Sequence, residues 1–314
     1  MSNPIFNDRR FLIDHIESVM KFYHPHCINN NTGGFFQYFR DDGSIYDFDT
    51  KHLVSSTRFI FNYSMAAIQF DNKDYLDAAL HGIDYLRDSH LNKNTGGYAW
   101  TMKGAEVNDS TNYCYGLAFV LLAYSSAYKA GILKAKDYIE ETYQLMEKHF
   151  WSKEYELYSD EISADWKVVS SYRGQNANMH SCEALIMAFE ATGSQKYLDR
   201  ALLIGKNICI RQAGLAEGLI WEHYDSNWEI NWVYNKNRPD DLFRPWGFQV
   251  GHLTEWAKLL LILERHVKED WLLPRAQELF DDAVEMGWDE KSEGLFYGFA
   301  PNGDISDKDK YFWV

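Results

Sequence analysis

Apolar residues fall at helical spacing through most of the chain, beginning with Phe11, Leu12, His15, Ile16, Val19 and Met20, which cluster toward one face of a first predicted helix. The same period predicts a second helix near residues 53–69, a third over 75–90, a fourth over 113–128 and a fifth over 135–150. A sixth follows over 176–192, a seventh over 195–211, an eighth over 251–267 and a ninth over 271–286, and a tenth is expected to begin at Tyr311. Gly131, Gly193, Gly214 and Gly287 stand where C-terminal caps are expected. Odd-numbered helices, such as residues 74–87, carry charge on a broad face, as an outer layer requires. Even-numbered ones, such as Ala118-Phe-Val-Leu-Leu-Ala-Tyr124 and Trp256-Ala-Lys-Leu-Leu-Leu-Ile-Leu263, are apolar around most of their circumference, as inner helices are.

The connections echo one another. Asn31-Thr-Gly-Gly34-Phe-Phe returns as Asn94-Thr-Gly-Gly97-Tyr-Ala, and weaker copies stand at Glu156-Leu-Tyr, Glu217-Gly218-Leu-Ile-Trp and Glu293-Gly294-Leu-Phe-Tyr. From Gly34 the register advances by 63, 59, 62 and 76 residues, one outer and one inner helix per step, which marks a repeated architecture. Helix pairs joined by Gly-rich hairpins close into an all-α toroid, an α/α barrel, with the inner helices presenting their N-terminal ends to one mouth. An open helical solenoid shares the period, but it need not concentrate polar residues at one end of alternate helices, as this chain does. The chain is therefore expected to form a single barrel domain over residues 1–314.

Thirty-one basic against forty-six acidic residues leave a net charge of −15 with no Lys/Arg cluster, which argues against a nucleic-acid or other polyanionic partner. Met1-Ser-Asn-Pro-Ile lacks the basic segment and apolar run of a secretory leader, and no window reaches a membrane-spanning length of apolar residues. Cys27, Cys114, Cys182 and Cys209 show no paired spacing, so reduced thiols and a cytoplasmic location are expected. His24-Pro-His26-Cys27 has metal-binding residue types, but Pro25 ends a helix there and no second ligand pair follows nearby. The 21 Tyr and 11 Trp exceed what a core needs and suit a sugar-binding cleft as well as packing.

The chemistry concentrates in two His-x-x-Glu steps, His180-Ser-Cys-Glu183 and His252-Leu-Thr-Glu255, each opening an inner helix. A three-residue step places both side chains on one helix face, so each helix can aim an imidazole and a carboxylate at the same place. A neutral imidazole can take a proton from carbon and return it, and a carboxylate on its other nitrogen fixes the tautomer and raises its basicity. His180 and His252 are thus the candidate acid/base pair, with Glu183 and Glu255 orienting the rings or binding hydroxyls. Arg58, in Ser55-Ser-Thr-Arg-Phe-Ile-Phe, is a charge among apolar residues and a candidate for stabilising a developing oxyanion. Asn176, Tyr115, Trp246 and Gln249 are candidates for hydroxyl bonding and ring stacking, and residues 221–241, which lack a helical period, are a candidate lid.

Three other readings use the same residues. A carboxylate-bridged metal site places Glu before His, the opposite order. A glycoside hydrolase needs two flanking carboxylates, for which Asp109, Asp160, Glu183 or Glu255 are available. A binding protein would keep the cleft without the chemistry.

The run Arg244-Pro-Trp-Gly-Phe-Gln-Val-Gly-His252-Leu-Thr-Glu255-Trp-Ala-Lys-Leu-Leu, together with Asn176-Ala-Asn-Met-His180-x-x-Glu183-Ala and Ser56-Thr-Arg58, resembles the N-acylglucosamine 2-epimerase superfamily. Within it the chain is most similar to the mannose isomerase branch, which includes the sulfoquinovose isomerase type. Val250 departs from the Pro usual before the Gly-His step. The resemblance implies an (α/α)6 barrel of twelve helices and an aldose–ketose isomerase, or alternatively a sugar 2-epimerase, working on a monosaccharide without a cofactor or metal. It also implies a further catalytic His on the twelfth helix, beyond Val314, so the chain reads as a C-terminally truncated member with nine to ten helices. An incomplete barrel is expected to expose inner-helix surface, Tyr311, Phe312 and Trp313 included, and so to pair with a second copy or aggregate.

Overall fold

The computed structural model describes residues 6–238 and 241–311. Nine α-helices lie among the described residues: α1 (Arg9–Tyr23), α2 (Leu53–Phe70), α3 (Lys73–Tyr85), α4 (Cys114–Lys129), α5 (Ala135–His149), α6 (Gln175–Thr192), α7 (Gln195–Lys206), α8 (Val250–His266) and α9 (Leu272–Gly287). Each coincides with a helix expected from periodicity. α3 and α7 run on into π-helical turns at Leu86–His90 and Asn207–Gln212, which complete the lengths that the apolar spacing predicts. Tyr311 is not helical, and Phe312 and Trp313 lie outside the described residues, as do Met1–Ile5. None of the described helices is long and apolar enough to cross a membrane.

The chain divides into two compact units, residues 1–112 with 123–138, and residues 113–122 with 139–314. In the first, the Asp8 side chain accepts hydrogen bonds from the Arg10 and Phe11 amides and starts α1, while Asn72 does the same for α3 at Asp74 and Tyr75. α2 packs on α3, and Gly82 of α3 lies where an added Cβ would stand 2.5 Å from Ile60 and 2.6 Å from Phe35. The His24–Cys27 cluster is structural: Tyr63 Oη lies 3.3 Å from His24 Nδ1 and 3.1 Å from the buried Cys27 Sγ.

In the second unit, α6 packs on α7, α8 on α9, and α6 on α8. The exposed and buried faces follow the alternation of charge. α7 buries a stripe formed by Tyr197, Leu198, Ala201, Ile204 and Gly205, whereas α6 is buried over most of its length, from Gln175 to Ala188. Of the four expected cap glycines, Gly193 takes the left-handed conformation (φ 71°) that closes α6. Gly287 does something else. It is the last residue of α9, and an added Cβ would stand 2.6 Å from Val250 Cγ1, so the residue is glycine because α9 and the start of α8 touch there.

The repeated connections are short hairpins that follow the odd-numbered helices. Ile28 pairs with Phe35, Leu91 with Tyr98 and Trp288 with Leu295, and Trp151–Ser152 pairs with Leu157–Tyr158. Each echo places a residue at positive φ: Gly34 (67°), Gly96 (77°), Glu156 (51°), Gly218 (96°) and Gly294 (84°). The sequence repeat is thus a repeat of one backbone turn.

Candidate active site

The site lies in the second unit, at the N-terminal ends of α6 and α8. An antiparallel pairing of Arg173–Gly174 with His223–Tyr224 leads into α6, with Gly174 opposite His223. One residue further, the Gln175 amide donates to the Glu222 carbonyl at 3.2 Å. Successive residues on a strand point to opposite faces. Glu222 accordingly turns toward α6 and α8, while His223 turns away, with Nδ1 3.0 Å from Tyr172 Oη and Nε2 donating to the Pro245 carbonyl at 2.8 Å. That second histidine is buried and anchors the strand; burial pulls its pKa below the ordinary value.

His180, in the second turn of α6, is 8% exposed, and its Nδ1 lies 3.1 Å from Glu183 Oε2. The Tyr115 ring meets the imidazole edge-on at 5.0 Å, and Phe119 lies at 4.8 Å. Burial pushes the Glu183 carboxyl up, but the hydrogen bond and charge of His180 and the Lys258 ammonium outweigh it and hold the group at about 2. Lys258 Nζ stands 3.5 Å from Glu183 Oε1 and 3.4 Å from Glu255 Oε1. Ligating atoms of His180, Glu183 and Glu255 fall within 4.8 Å of one another, a spacing that suits a cation. Lys258 already supplies positive charge to both carboxylates.

His252 is oriented differently. Its Nδ1 lies 2.9 Å from Glu222 Oε2 rather than against Glu255. Glu222 is 4% exposed, and Gln175 Nε2 donates to the same Oε2 at 2.9 Å while standing 3.0 Å from His252 Nδ1. The Trp256 indole N–H donates to Gln175 Oε1 at 2.7 Å, which settles which end of the amide faces the histidine. Burial lowers the His252 pKa, but the Glu222 charge and hydrogen bond, with Glu255 beyond, carry it above 6.5.

His180, His252, Glu183 and Glu255 therefore meet on α6 and α8, and Tyr115 joins them from α4. The expected role of Glu255 in orienting His252 is replaced: Glu222 holds that ring, and Glu255 faces His180, Glu183 and Lys258. Asn176 stands in the first turn of α6, with Oδ1 buried and lacking a protein partner. Gln249, at the N-cap of α8, is 3% exposed, and neither of its amide atoms has a protein partner. Trp246 donates its indole N–H to the Trp232 carbonyl at 2.7 Å. It lines a cavity of about 800 Å³ with Trp232, Lys236 and Phe248, and the two histidines do not line that cavity. Arg58 is exposed on α2, in the first unit. The segment proposed as a lid begins as wall: Trp221, Glu222, His223 and Tyr224 are buried, and only its later part, in which Pro239 and Asp240 lie outside the described residues, is exposed in stretches. Of the carboxylates considered for hydrolysis, Asp160 is buried, accepts the Gly174 amide at 2.7 Å, and is pushed up by burial to about 7.

Glu222, Gln175 and Lys258 escape motif reading. Lys258 follows Glu255 at helical spacing, a usable signal, whereas Glu222 reaches His252 only through strand pairing.

Two imidazoles, the buried His180 and the partly buried His252, are thus each held at Nδ1 by a carboxylate at the starts of α6 and α8. The chain belongs to the N-acylglucosamine 2-epimerase (GlcNAc 2-epimerase) family, whose model matches residues 34–314. It is 57% identical to a D-mannose isomerase of Marinomonas mediterranea over 100% of this chain and 79% of that protein. It is 37% identical to a D-mannose isomerase of Pseudomonas cannabina pv. alisalensis over 69% of this chain and 54% of that protein. A crystal structure of a D-mannose isomerase superposes with a TM-score of 0.97 at 57% identity, covering 99% of this chain and 80% of that one. The fold is of the all-α, (α/α)6-barrel class.

Proposed function

We propose that this protein is a sugar isomerase that interconverts an aldose and its 2-ketose, of the mannose–fructose type, by histidine-mediated proton transfer. The observation that carries the reading is the pair of carboxylate-held imidazoles, His180 with Glu183 and His252 with Glu222, in a chain 57% identical to a D-mannose isomerase. In an open-chain aldose, one imidazole removes the proton from carbon 2, the carbonyl electrons move to oxygen, and an enediolate forms. The hydroxyl proton on oxygen 2 then passes to oxygen 1, and a proton is returned to carbon 1 as the carbonyl forms at carbon 2. No atom is gained or lost, and neither oxidant nor metal is required by the balance.

The rings are suited to this because Nδ1 is engaged on the carboxylate side, which leaves Nε2 for exchange. The acid/base role belongs to His180 and His252, with Glu183 orienting the former and Glu255 and Lys258 placed to bind hydroxyls. Arg58 is assigned from its motif to the enediolate oxygen, Tyr115 to the wall of the sugar site, Asn176 and Gln249 to hydroxyl binding, and Trp246 to ring stacking. We place the enzyme in the cytoplasm on the thiol pattern of the sequence.

The test is incubation of D-mannose with the protein in deuterated water, followed by NMR. Fructose carrying solvent deuterium at carbon 1 is expected, and its loss by at least about a hundredfold in His180→Ala and His252→Ala. Glucose formed without fructose would make the enzyme an epimerase, and full activity in both alanine variants would overturn the site.

A further inference from the structure

The contacts around His252 leave two arrangements open. Gln175 Nε2 stands 3.0 Å from His252 Nδ1 and 2.9 Å from Glu222 Oε2, and His252 Nδ1 stands 2.9 Å from the same oxygen. Either Gln175 donates to a bare Nδ1, placing the neutral ring's proton on Nε2, or Nδ1 carries the proton and donates to the carboxylate. The first puts a hydrogen on the nitrogen that must receive one from the sugar. The second leaves Nε2 as a base.

We propose that Glu222 is the positioning residue for His252: it holds the proton on Nδ1, keeps Nε2 available for exchange with the substrate, and is itself held by Gln175 and Trp256. Three observations carry this. First, among the described residues no Lys or Arg is paired with Glu222, in contrast to Glu183, which shares Lys258; the His252 ring and the Gln175 amide are the side chains that meet its charge. An unneutralised carboxylate that is 4% exposed is costly, so donation from Nδ1 to the charge is favoured over donation from a neutral amide to a neutral ring. Second, the Trp256 indole fixes the Gln175 oxygen, so the amide turns its N–H side to this corner and donates to Oε2, which holds the carboxylate against the ring. Third, Glu222 Oε1 is buried and has no protein partner, so the side-chain hydrogen bonds that hold this carboxylate run through Oε2, where the ring and the amide meet. The raised His252 pKa agrees in direction.

The proposal builds on the reading of His252 as an exchange base, and its decisive measurement does not depend on turnover. Full-length protein labelled with 15N-histidine, with the His252 signal assigned by comparison with His252→Ala, reports tautomer and titration midpoint by long-range 1H–15N correlation. The wild type is expected to show the Nδ1–H form in the neutral ring, with a midpoint above 6.5. Glu222→Gln is expected to lower that midpoint by about one unit and to populate the Nε2–H form. Its kcat is expected to fall at least about tenfold while KM stays within about twofold, the mark of a group that orients rather than binds. If Glu222→Gln does not fold, Trp256→Phe, which deletes the indole N–H and keeps an aromatic ring, is expected to shift the tautomer ratio in the same direction by a smaller amount. A neutral wild-type ring protonated at Nε2 overturns the proposal, as does a Glu222→Gln ring with unchanged tautomer and midpoint. A wild type that leaves mannose unconverted refutes the isomerase reading while the tautomer measurement still decides the role of Glu222.

Discussion

His252 takes its carboxylate partner from thirty residues upstream: Nδ1 lies 2.9 Å from Glu222 Oε2, although Glu255 stands three residues away on the same helix face. His180 takes the local option, with Nδ1 3.1 Å from Glu183 Oε2. Two identical sequence steps therefore produce two different environments, one carboxylate shared with a lysine and one met by its histidine and Gln175.

The first prediction follows from that asymmetry. Glu255→Gln leaves the Glu222–His252 contact intact, so the His252 tautomer is expected to stay as in the wild type while turnover falls. A comparison of the two glutamine variants by 15N NMR and steady-state kinetics separates the carboxylates. A Glu255→Gln variant that alters the tautomer as much as Glu222→Gln does would reverse the assignment.

Acid stability provides the second. The Glu183 carboxyl titrates at about 2 in the folded chain against 4.5 as a free group, so the pair contributes stability that is fully present above pH 4.5 and is lost as pH falls toward 2. A shift of that size is worth on the order of 3 kcal/mol at most. Glu183→Gln is expected to lower Tm at pH 7 and to flatten its dependence between pH 5 and about 3, as read by circular dichroism.

Asp160 is expected to behave in the opposite sense. Burial raises its folded pKa to about 7 from 3.8, so the folded state pays for ionising it: stability is greatest below pH 3.8 and declines as pH rises toward 7. Asp160→Asn keeps an oxygen for the Gly174 amide and removes the charge. The Tm of this variant relative to wild type is expected to climb between pH 5 and 8, and a difference that falls over that interval counts against the assignment.

The contact between α9 and α8 is tested by Gly287→Ala. The added methyl would stand 2.6 Å from Val250 Cγ1, inside van der Waals contact, and overpacking of this kind costs about 1–3 kcal/mol. Urea denaturation should show the loss, and Val250→Ala in the same chain should return part of it. Additive destabilisation by the two changes would refute the close approach.

The helices were legible because their information is local. The apolar stripe of Tyr197, Leu198, Ala201 and Ile204 is written at a spacing of three to four residues, and the positive-φ turns at Gly34, Gly96, Gly218 and Gly294 are written as glycines. The π-helical extensions of α3 and α7 changed hydrogen bonding without changing which residues face inward, so periodicity still covered them. Gly287 shows the limit. As a residue type it suggested a cap, but the reason for its small size is Val250, thirty-seven residues earlier.

The same division holds within the site. His180 and Glu183 could be paired from sequence, because a helix brings residues three apart onto one face whatever surrounds it. For His252, the helix offered Glu255, and only the strand pairing that sets Gly174 against His223 carried Glu222 into reach. Periodicity records which side chains share a face of one element. Which element a face meets, and whether Lys258 or only an imidazole and an amide face a given carboxylate, depends on pairing between distant segments, and that is established only when the chain packs.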